Sequence, residues 1–95
     1  MKVAFSDSAF EKMMDVAEFV DNINTSGAGD RWIEKLIEFI EDHAKLKHIQ
    51  WSLCLNKNLA AKYYSCLIYK TWIIAFKIEA NTFKVYDFIY GPLLG

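Results

Sequence analysis

Apolar residues in the first half of the chain recur at a helical spacing. Between Ser6 and Ile23 they return every three or four positions, which predicts an amphipathic helix. Its apolar stripe consists of Phe10, Met13, Met14, Ala17, Val20 and Ile23. Ser8 and Glu11 have the spacing of a capping box at the start of this helix. The breaker-rich run NTSGAGD, at Asn24–Asp30, is expected to end it.

A second amphipathic helix is predicted directly after this break. Its apolar side is formed by Trp32, Ile33, Leu36, Ile37, Ile40 and Ala44. Off that stripe lie the acidic residues Glu34, Glu38, Glu41 and Asp42. Because the two helices are joined by a short glycine-containing loop, they are expected to form an antiparallel hairpin. Neither helix is apolar all round, so the hairpin needs a partner surface on which to bury its stripes.

The second half of the chain changes to the pattern of β-strands. Three runs rich in aromatic and β-branched residues are separated by short polar breaks: YYSCLIY at Tyr63–Tyr69, WIIAFKI at Trp72–Ile78 and FKVYDFIY at Phe83–Tyr90. This arrangement predicts an antiparallel meander. Lys2–Phe5 alternates weakly and predicts a short first strand, whereas Gln50–Lys57 fits either a strand or a connector.

These elements together predict a single α+β domain over residues 1–95. The length of 95 residues is enough for one modest core. The expected order is β-α-α-β-β-β, with the helical hairpin packed on one face of an antiparallel sheet. No apolar run approaches the roughly 20 residues that span a bilayer, so no membrane segment is expected.

The turns of the meander determine which side chains share a face of the sheet. If Ala80–Asn81 and Lys70–Thr71 are both two-residue loops, successive side chains alternate between two defined faces. The helix-covered face then receives Trp72, Ile74, Phe76, Ile78, Phe83, Val85 and Ile89. The open face receives Lys62, Tyr64, Cys66, Ile68, Ile73, Ala75, Lys77, Lys84, Tyr86, Phe88 and Tyr90. Asp87 lies on the apolar face in this register, and a bulge near the end of its strand is expected to turn it outward.

Charge is unevenly distributed along the chain. Residues 1–44 carry four Lys/Arg against ten Asp/Glu, a balance of −6, and residues 45–95 carry seven Lys against two acids, a balance of +5. The two halves sum to the net charge of −1. This segregation predicts an acidic layer and a basic layer, and the basic layer suits a polyanion or an acidic protein partner. The alternative is that both layers are simply solvated surfaces.

Cysteine and histidine spacing argues against a metal site. Cys54 and Cys66 lack CxxC spacing, and they are expected to be reduced, half-buried thiols of a cytosolic protein. His43 and His48 are five positions apart and lie on different faces of a helix, so no metal or cofactor is expected. The N-terminal run Met1–Phe10 has an acid and serines where a signal peptide keeps its apolar core, which favours a cytoplasmic location.

Three stretches carry a resemblance to a known family. They are FSDSAFEKMMDVAEFV at Phe5–Val20, WIIAFKI at Trp72–Ile78 and TFKVYDFIYG at Thr82–Gly91. In their order and spacing the chain resembles the RelE/ParE toxin superfamily of bacterial toxin–antitoxin, or plasmid-stabilisation, systems. The second stretch is similar to the family's "yrivYri" strand, and the third to its closing strand, which commonly ends in His-Gly or Tyr-Gly. The resemblance covers nearly the whole chain.

The resemblance implies a toxin that a cognate antitoxin neutralises by laying an extended segment against its sheet or helices. RelE-like members cleave messenger RNA on the ribosome, and ParE-like members act on DNA gyrase. In a ribonuclease, Tyr90 takes the place of the terminal-strand His or Tyr as a catalytic residue, and Lys77 and Lys84 serve as the cations. The expected target-binding sheet face consists of Lys62, Tyr64, Lys77, Lys84, Tyr86 and Tyr90.

Arginine usage in this chain departs from the pattern of the family. The family usually has an arginine just before the central strand of the meander, where this chain has Tyr64 and Ser65. Many members continue with Arg or Lys after the closing glycine, where this chain has Pro92, and its only arginine is Arg31 on the helical hairpin. Because lysine binds phosphate only as a point charge, these departures favour ParE-like inhibition of gyrase over RNA cleavage.

Three alternatives to a ParE-like toxin stay open from the sequence. The first is a RelE-like ribosome-dependent mRNA endoribonuclease. The second is a non-toxic interaction module that retains the fold. Exposed strand edges also make the chain compatible with a homodimer. The third is an unrelated small α+β domain. Separately from these functions, the lysines and tyrosines can be read as only the solvated side of a sheet, since both residue types suit that position.

Overall fold

A four-stranded sheet with two long helices on one face forms the core of the described structure. The computed structural model describes residues 1–45 and 52–94. In chain order the elements are β1 (Lys2–Phe5), α1 (Asp7–Ile23), α2 (Ala28–Ala44), α3 (Lys57–Ala61), β2 (Ser65–Tyr69), β3 (Trp72–Glu79), β4 (Thr82–Tyr90) and a closing 3₁₀ turn (Gly91–Leu94). The α+β class and the order of the long elements agree with the prediction, and α3 is an addition to it.

The sheet is mixed, so the prediction of an antiparallel sheet is wrong for one strand. Its strand order is β1-β4-β3-β2, and β1 runs parallel to β4. Lys2 lies opposite Thr82 and Phe5 opposite Val85. A parallel pair requires a long crossover, which the two helices and the first two strands of the meander provide here. The antiparallel pairing of β2 with β3 and of β3 with β4 is confirmed.

The core lies between the helical layer and one face of the sheet. Its fully buried members from the helices are Ala9, Met13, Leu36, Ile40 and Ala44. Those from the sheet are Ile74, Phe76, Phe83, Val85 and Phe88. Stacking of the Phe76 and Phe83 rings, with centroids 4.1 Å apart, fills its centre. This packing leaves the second face of the sheet without a helical cover.

The buried stripe of helix α1 is narrower than the sequence predicts. The helix begins two residues earlier than the predicted capping box, because Ser6 is the N-cap and its Oγ accepts a hydrogen bond from the Ala9 amide at 3.1 Å. Small residues form much of the contact with the core, and the larger residues Phe10, Met14 and Ile23 of the predicted stripe are exposed. Since α1 packs on β4 and on α2, it buries only the side that faces these two elements.

The two long helices approach each other closely at Gly29. A Cβ atom built on this residue lies 2.2 Å from the carbonyl oxygen of Ala17, so any larger side chain would force the helices apart. The Gly29 amide donates to the Asp21 carboxylate at 2.8 Å, which satisfies a free amide in the first turn of α2. The break between the helices is thus confirmed, although α2 already begins at Ala28.

Both hairpins of the meander have the predicted two-residue loops. Ala80 and Asn81 both have positive φ angles, 47° and 60°, as a two-residue turn between twisted strands requires. Tyr69 lies opposite Trp72, so the other loop is Lys70–Thr71. The register at the start of β4 is therefore as expected.

A β-bulge at Tyr86 changes the faces of the rest of β4. Val85 lies opposite Phe76 but Asp87 lies opposite Ala75, so Tyr86 is the extra residue. The bulge confirms that Asp87 leaves the apolar face. It also reverses the alternation of the residues that follow, which the sequence-based assignment did not include.

The reversal corrects three assignments in β4. Phe88 was expected on the open face, but it is 1% exposed and pairs with Ile74 in the core. Ile89 was expected in the core, but it pairs with Ile73, an open-face residue. Tyr90 was expected on the open face and instead lies on the helix-covered face, as described below.

The cysteines form a disulfide, so the prediction of two reduced thiols is wrong. Cys54 is bonded to Cys66 in β2, with Cα atoms 5.1 Å apart. Helix α3 and a turn at Tyr63, whose φ is 63°, reverse the chain and bring residue 54 back beside β2. Leu53 forms an isolated antiparallel bridge with Ser65. Within Gln50–Lys57, the residues from position 52 onward are therefore a connector, and Trp51 lies outside the described residues.

Candidate functional site

Two lysines and two tyrosines gather on the open face of the sheet and form what we call the open-face cluster: Tyr64, Lys77, Lys84 and Tyr86. The rings of Tyr64 and Tyr86 stack with centroids 5.3 Å apart and planes 25° from parallel. The Lys77 ammonium lies 5.2 Å from the Tyr64 ring and 5.5 Å from the Tyr86 ring, and the Lys84 ammonium lies 5.2 Å from the Tyr86 ring. Four of the six predicted site residues are thus brought together.

The pairing of two cations makes the cluster electropositive. Lys77 and Lys84 lie directly opposite each other on neighbouring strands. Like charges in this position repel and destabilise a sheet. The tyrosine faces offset part of this repulsion, since each cation–π contact at an exposed site stabilises by about 0.5–1 kcal/mol. The cluster therefore holds two positive charges at a fixed spacing on an accessible surface.

Glu79 closes one end of the cluster and fixes the protonation state of Tyr86. The Tyr86 hydroxyl donates a short hydrogen bond to Oε1 of Glu79. This bond to the carboxylate, followed by desolvation and by the nearby negative charge, raises the pKa of Tyr86 from 10.0 to about 12. Tyr86 is therefore a hydrogen-bond donor and not a base at neutral pH.

An apolar row lies beside the cluster on the same face. Ile68 pairs with Ile73, and Ile73 pairs with Ile89, so three isoleucines cross the sheet side by side. Ile68 is 71% exposed although it is a β-branched residue in a strand. A patch that combines exposed apolar side chains with aromatic rings and cations is typical of protein-binding surfaces.

The structure separates Tyr90 from the predicted site. Its ring contacts Trp72, with centroids 5.4 Å apart, and Trp72 in turn meets Trp32 of α2 at 6.3 Å. Tyr90 lines a groove of about 590 Å³ on the helix-covered side of the sheet. The other residues of this groove are Lys12, Asp15, Val16, Phe19, Val20, Trp32 and Trp72. Tyr90 and the lysines Lys77 and Lys84 therefore lie on opposite faces of the sheet.

Lys62 also lies outside the cluster. It is the C-cap of α3 and is exposed in the turn before β2, since the strand begins at Ser65 and not at residue 62 or 63. Tyr64 is likewise outside the strand, yet its ring reaches the sheet face through the stack on Tyr86.

The chemistry of the cluster favours binding over proton transfer. The two ammonium groups neutralise negative charge on a partner. The nearest titratable groups are already engaged: Tyr86 is held protonated by Glu79, and Asp87 is ion-paired with Lys12 of α1 at 3.1 Å. His43 belongs to α2, where its Nδ1 lies 2.8 Å from the Phe39 carbonyl oxygen. The carboxylate of Glu79, the candidate base closest to the cations, already accepts the Tyr86 hydroxyl.

The helical layer carries the opposite charge. Glu34, Glu38, Glu41 and Asp42 are all exposed along α2, so the predicted acidic layer exists beside a basic sheet face. His48 lies outside the described residues. Across the described ranges, no three His, Cys, Asp or Glu side chains come close enough to hold a metal ion. None of the helices over these residues is both long and apolar enough to cross a bilayer.

Two functional features could not be identified from the sequence pattern. Glu79 was placed on neither face of the predicted sheet, and its bond to Tyr86 depends on both residues facing the same side of a twisted hairpin. The groove beside Tyr90 depends on the bulge at Tyr86, for which Asp87 on an apolar face was the only signal. Both features follow from register and not from local composition.

The chain was compared with known proteins at the level of sequence. No protein-family model matches it, and no curated protein matches it.

Proposed function

We propose that this chain is a RelE/ParE-like toxin of a plasmid-stabilisation system that inhibits DNA gyrase by binding it through the open face of the sheet. A cognate antitoxin would neutralise it. The proposal rests first on the resemblance described above, and the order of one strand, two long helices and a three-stranded meander supports it. It places the protein in the bacterial cytoplasm, where a disulfide is unusual.

The observation that carries the proposal is the composition of the open face. Two adjacent lysines are stacked with tyrosines, and an apolar isoleucine row lies beside them. Nucleic acid is bound mainly through phosphate contacts, to which a row of isoleucines that is exposed at Ile68 and half-buried at Ile73 and Ile89 adds nothing. An acidic protein surface with an apolar centre matches both parts of this face.

RNA cleavage has less support from the site. A RelE-like mechanism needs a base close to the cations, and Tyr90 lies on the other face of the sheet from Lys77 and Lys84. Tyr86 is close enough but keeps its proton, because its pKa is raised to about 12. The cluster therefore has the cations of such a site, but the carboxylate beside them, Glu79, is occupied by the Tyr86 hydroxyl.

Induction of this chain alone in a bacterial host tests the proposed function. We expect growth arrest with filamentous cells and DNA breaks, since these follow from poisoning of gyrase. Transcripts cut at defined positions, without DNA breaks, would show that the chain cleaves RNA and does not inhibit gyrase. Normal growth with soluble, well-expressed protein would contradict toxicity and leave the non-toxic interaction module. Co-expression of a small protein encoded beside the gene would identify the antitoxin if it restores growth.

A further inference from the structure

One member of the open-face cluster is held by a segment outside the sheet. This segment is residues 52–64, which lead into β2: Leu53 forms a bridge with Ser65, the first residue of the strand, and the Cys54 amide donates to the Tyr64 carbonyl at 2.9 Å. The ring of Tyr64 extends from the end of this segment onto Tyr86 and beneath the Lys77 ammonium. Because Tyr64 directly precedes Ser65 of β2, the path of the segment that leads into the strand helps to set the position of its ring.

The segment has few other anchors. Leu59 is its only buried side chain among the described residues apart from Cys54, while Leu53, Leu55 and Tyr63 are all exposed. Tyr63 also has a φ of 63°, a conformation that costs a non-glycine residue free energy and persists only when its surroundings impose it. The covalent bond from Cys54 to Cys66 is thus the main restraint on the segment.

We propose that the Cys54–Cys66 disulfide is a redox switch for the open face. When the bond is intact, Tyr64 is fixed on the cluster. When it is reduced, residues 52–64 move away from the start of β2 and withdraw Tyr64 from Tyr86 and Lys77.

The chemistry of the switch is an ordinary thiol–disulfide exchange. Cys66 is half-buried and Cys54 is buried, so a thiolate of a dithiol reductant attacks the more accessible sulfur of Cys66. The Cys54 thiolate leaves and takes up a proton. The second thiol of the reductant then displaces Cys66 and also transfers its proton, so that two protein thiols and one oxidised, cyclic disulfide of the reductant are formed.

The consequence for function rests on the function proposed above. A tyrosine that is fixed in place loses little conformational entropy on binding, so the oxidised chain presents a better organised docking face. Oxidation should then strengthen target binding, and the reducing conditions of an unstressed cytoplasm should weaken it.

Solution NMR of the purified chain, before and after treatment with dithiothreitol, tests the structural step directly. In the oxidised chain we expect a nuclear Overhauser contact between the Tyr64 and Tyr86 rings and slow exchange of the Cys54 amide. After reduction we expect loss of the ring contact and about tenfold faster amide exchange. The contact between the Phe76 and Phe83 rings should persist in both states as evidence that the sheet stays folded.

The variant Cys54→Ala/Cys66→Ala is the matched control. It should resemble the reduced chain and should not respond to dithiothreitol. A Tyr64–Tyr86 contact and a protected Cys54 amide that survive full reduction of the wild type would overturn the proposal.

A gyrase supercoiling assay with the oxidised and the reduced chain separates the switch from the proposed function. We expect about fivefold weaker inhibition after reduction, with no such change in the double alanine variant. Equal inhibition by both forms would overturn control by the switch. If neither form inhibits gyrase, the proposed function fails, and the NMR comparison still decides whether the switch exists.

Discussion

At the residue scale, the function of the open face depends on how Tyr86 is held. Its ring contacts Tyr64, Lys77 and Lys84, and its hydroxyl donates to Glu79. Tyr86 therefore links both cations of the cluster to the neighbouring carboxylate of Glu79. This linkage places the positive charges and at the same time prevents Tyr86 from acting as a base.

Replacing Glu79→Gln should lower the pKa of Tyr86 from about 12 toward 10.0, because the bond to the carboxylate is the largest cause of the shift. The raised pKa means that this interaction stabilises the folded chain below pH 10.0 and that the stabilisation is lost as the pH rises through about 12. Titration of the Tyr86 ring by NMR measures the change. Glu34→Gln, on the exposed face of α2, is the matched control and should leave the titration unchanged.

At the scale of elements, the bulge in β4 explains most of what the sequence pattern assigned incorrectly. The two long helices, the strands and both two-residue loops follow from periodicity and turn residues, which are local signals. The bulge follows from the fit of β4 against β3, so Phe88, Ile89 and Tyr90 were placed on the wrong faces. The parallel pairing of β1 and the Cys54–Cys66 bond also depend on contacts between distant parts of the chain.

The variants Phe88→Ala and Ile89→Ala test the position of the bulge. Because Phe88 is buried against Ile74 and stacks on Phe5, its truncation should lower the free energy of unfolding by about 3–5 kcal/mol. Ile89 lies on the open face, and its truncation should cost about 1 kcal/mol. Urea denaturation measures both values. A larger loss of unfolding free energy for Ile89→Ala than for Phe88→Ala would show that β4 pairs with β3 without the bulge.

At the scale of the whole molecule, the fold sorts charge into two layers that the sequence already separates. The acidic residues of α2 lie on the outside of the helical layer, and Lys77 and Lys84 lie on the open face of the sheet. The layers could be predicted because each half of the chain forms one of them. The cluster itself could be predicted only in part. The face on which Tyr90 lies depends on the bulge, and the position of Lys62 depends on where β2 begins.

The most direct test of the open face as the working surface is inhibition of purified DNA gyrase by three forms of the chain. These are the wild type, Lys77→Ala/Lys84→Ala, and the charge-matched control Lys35→Ala/Lys57→Ala, whose lysines are exposed on α2 and α3. We expect the cluster variant to inhibit supercoiling at least about tenfold more weakly and the control to match the wild type. Equal inhibition by all three folded proteins would place the working surface elsewhere.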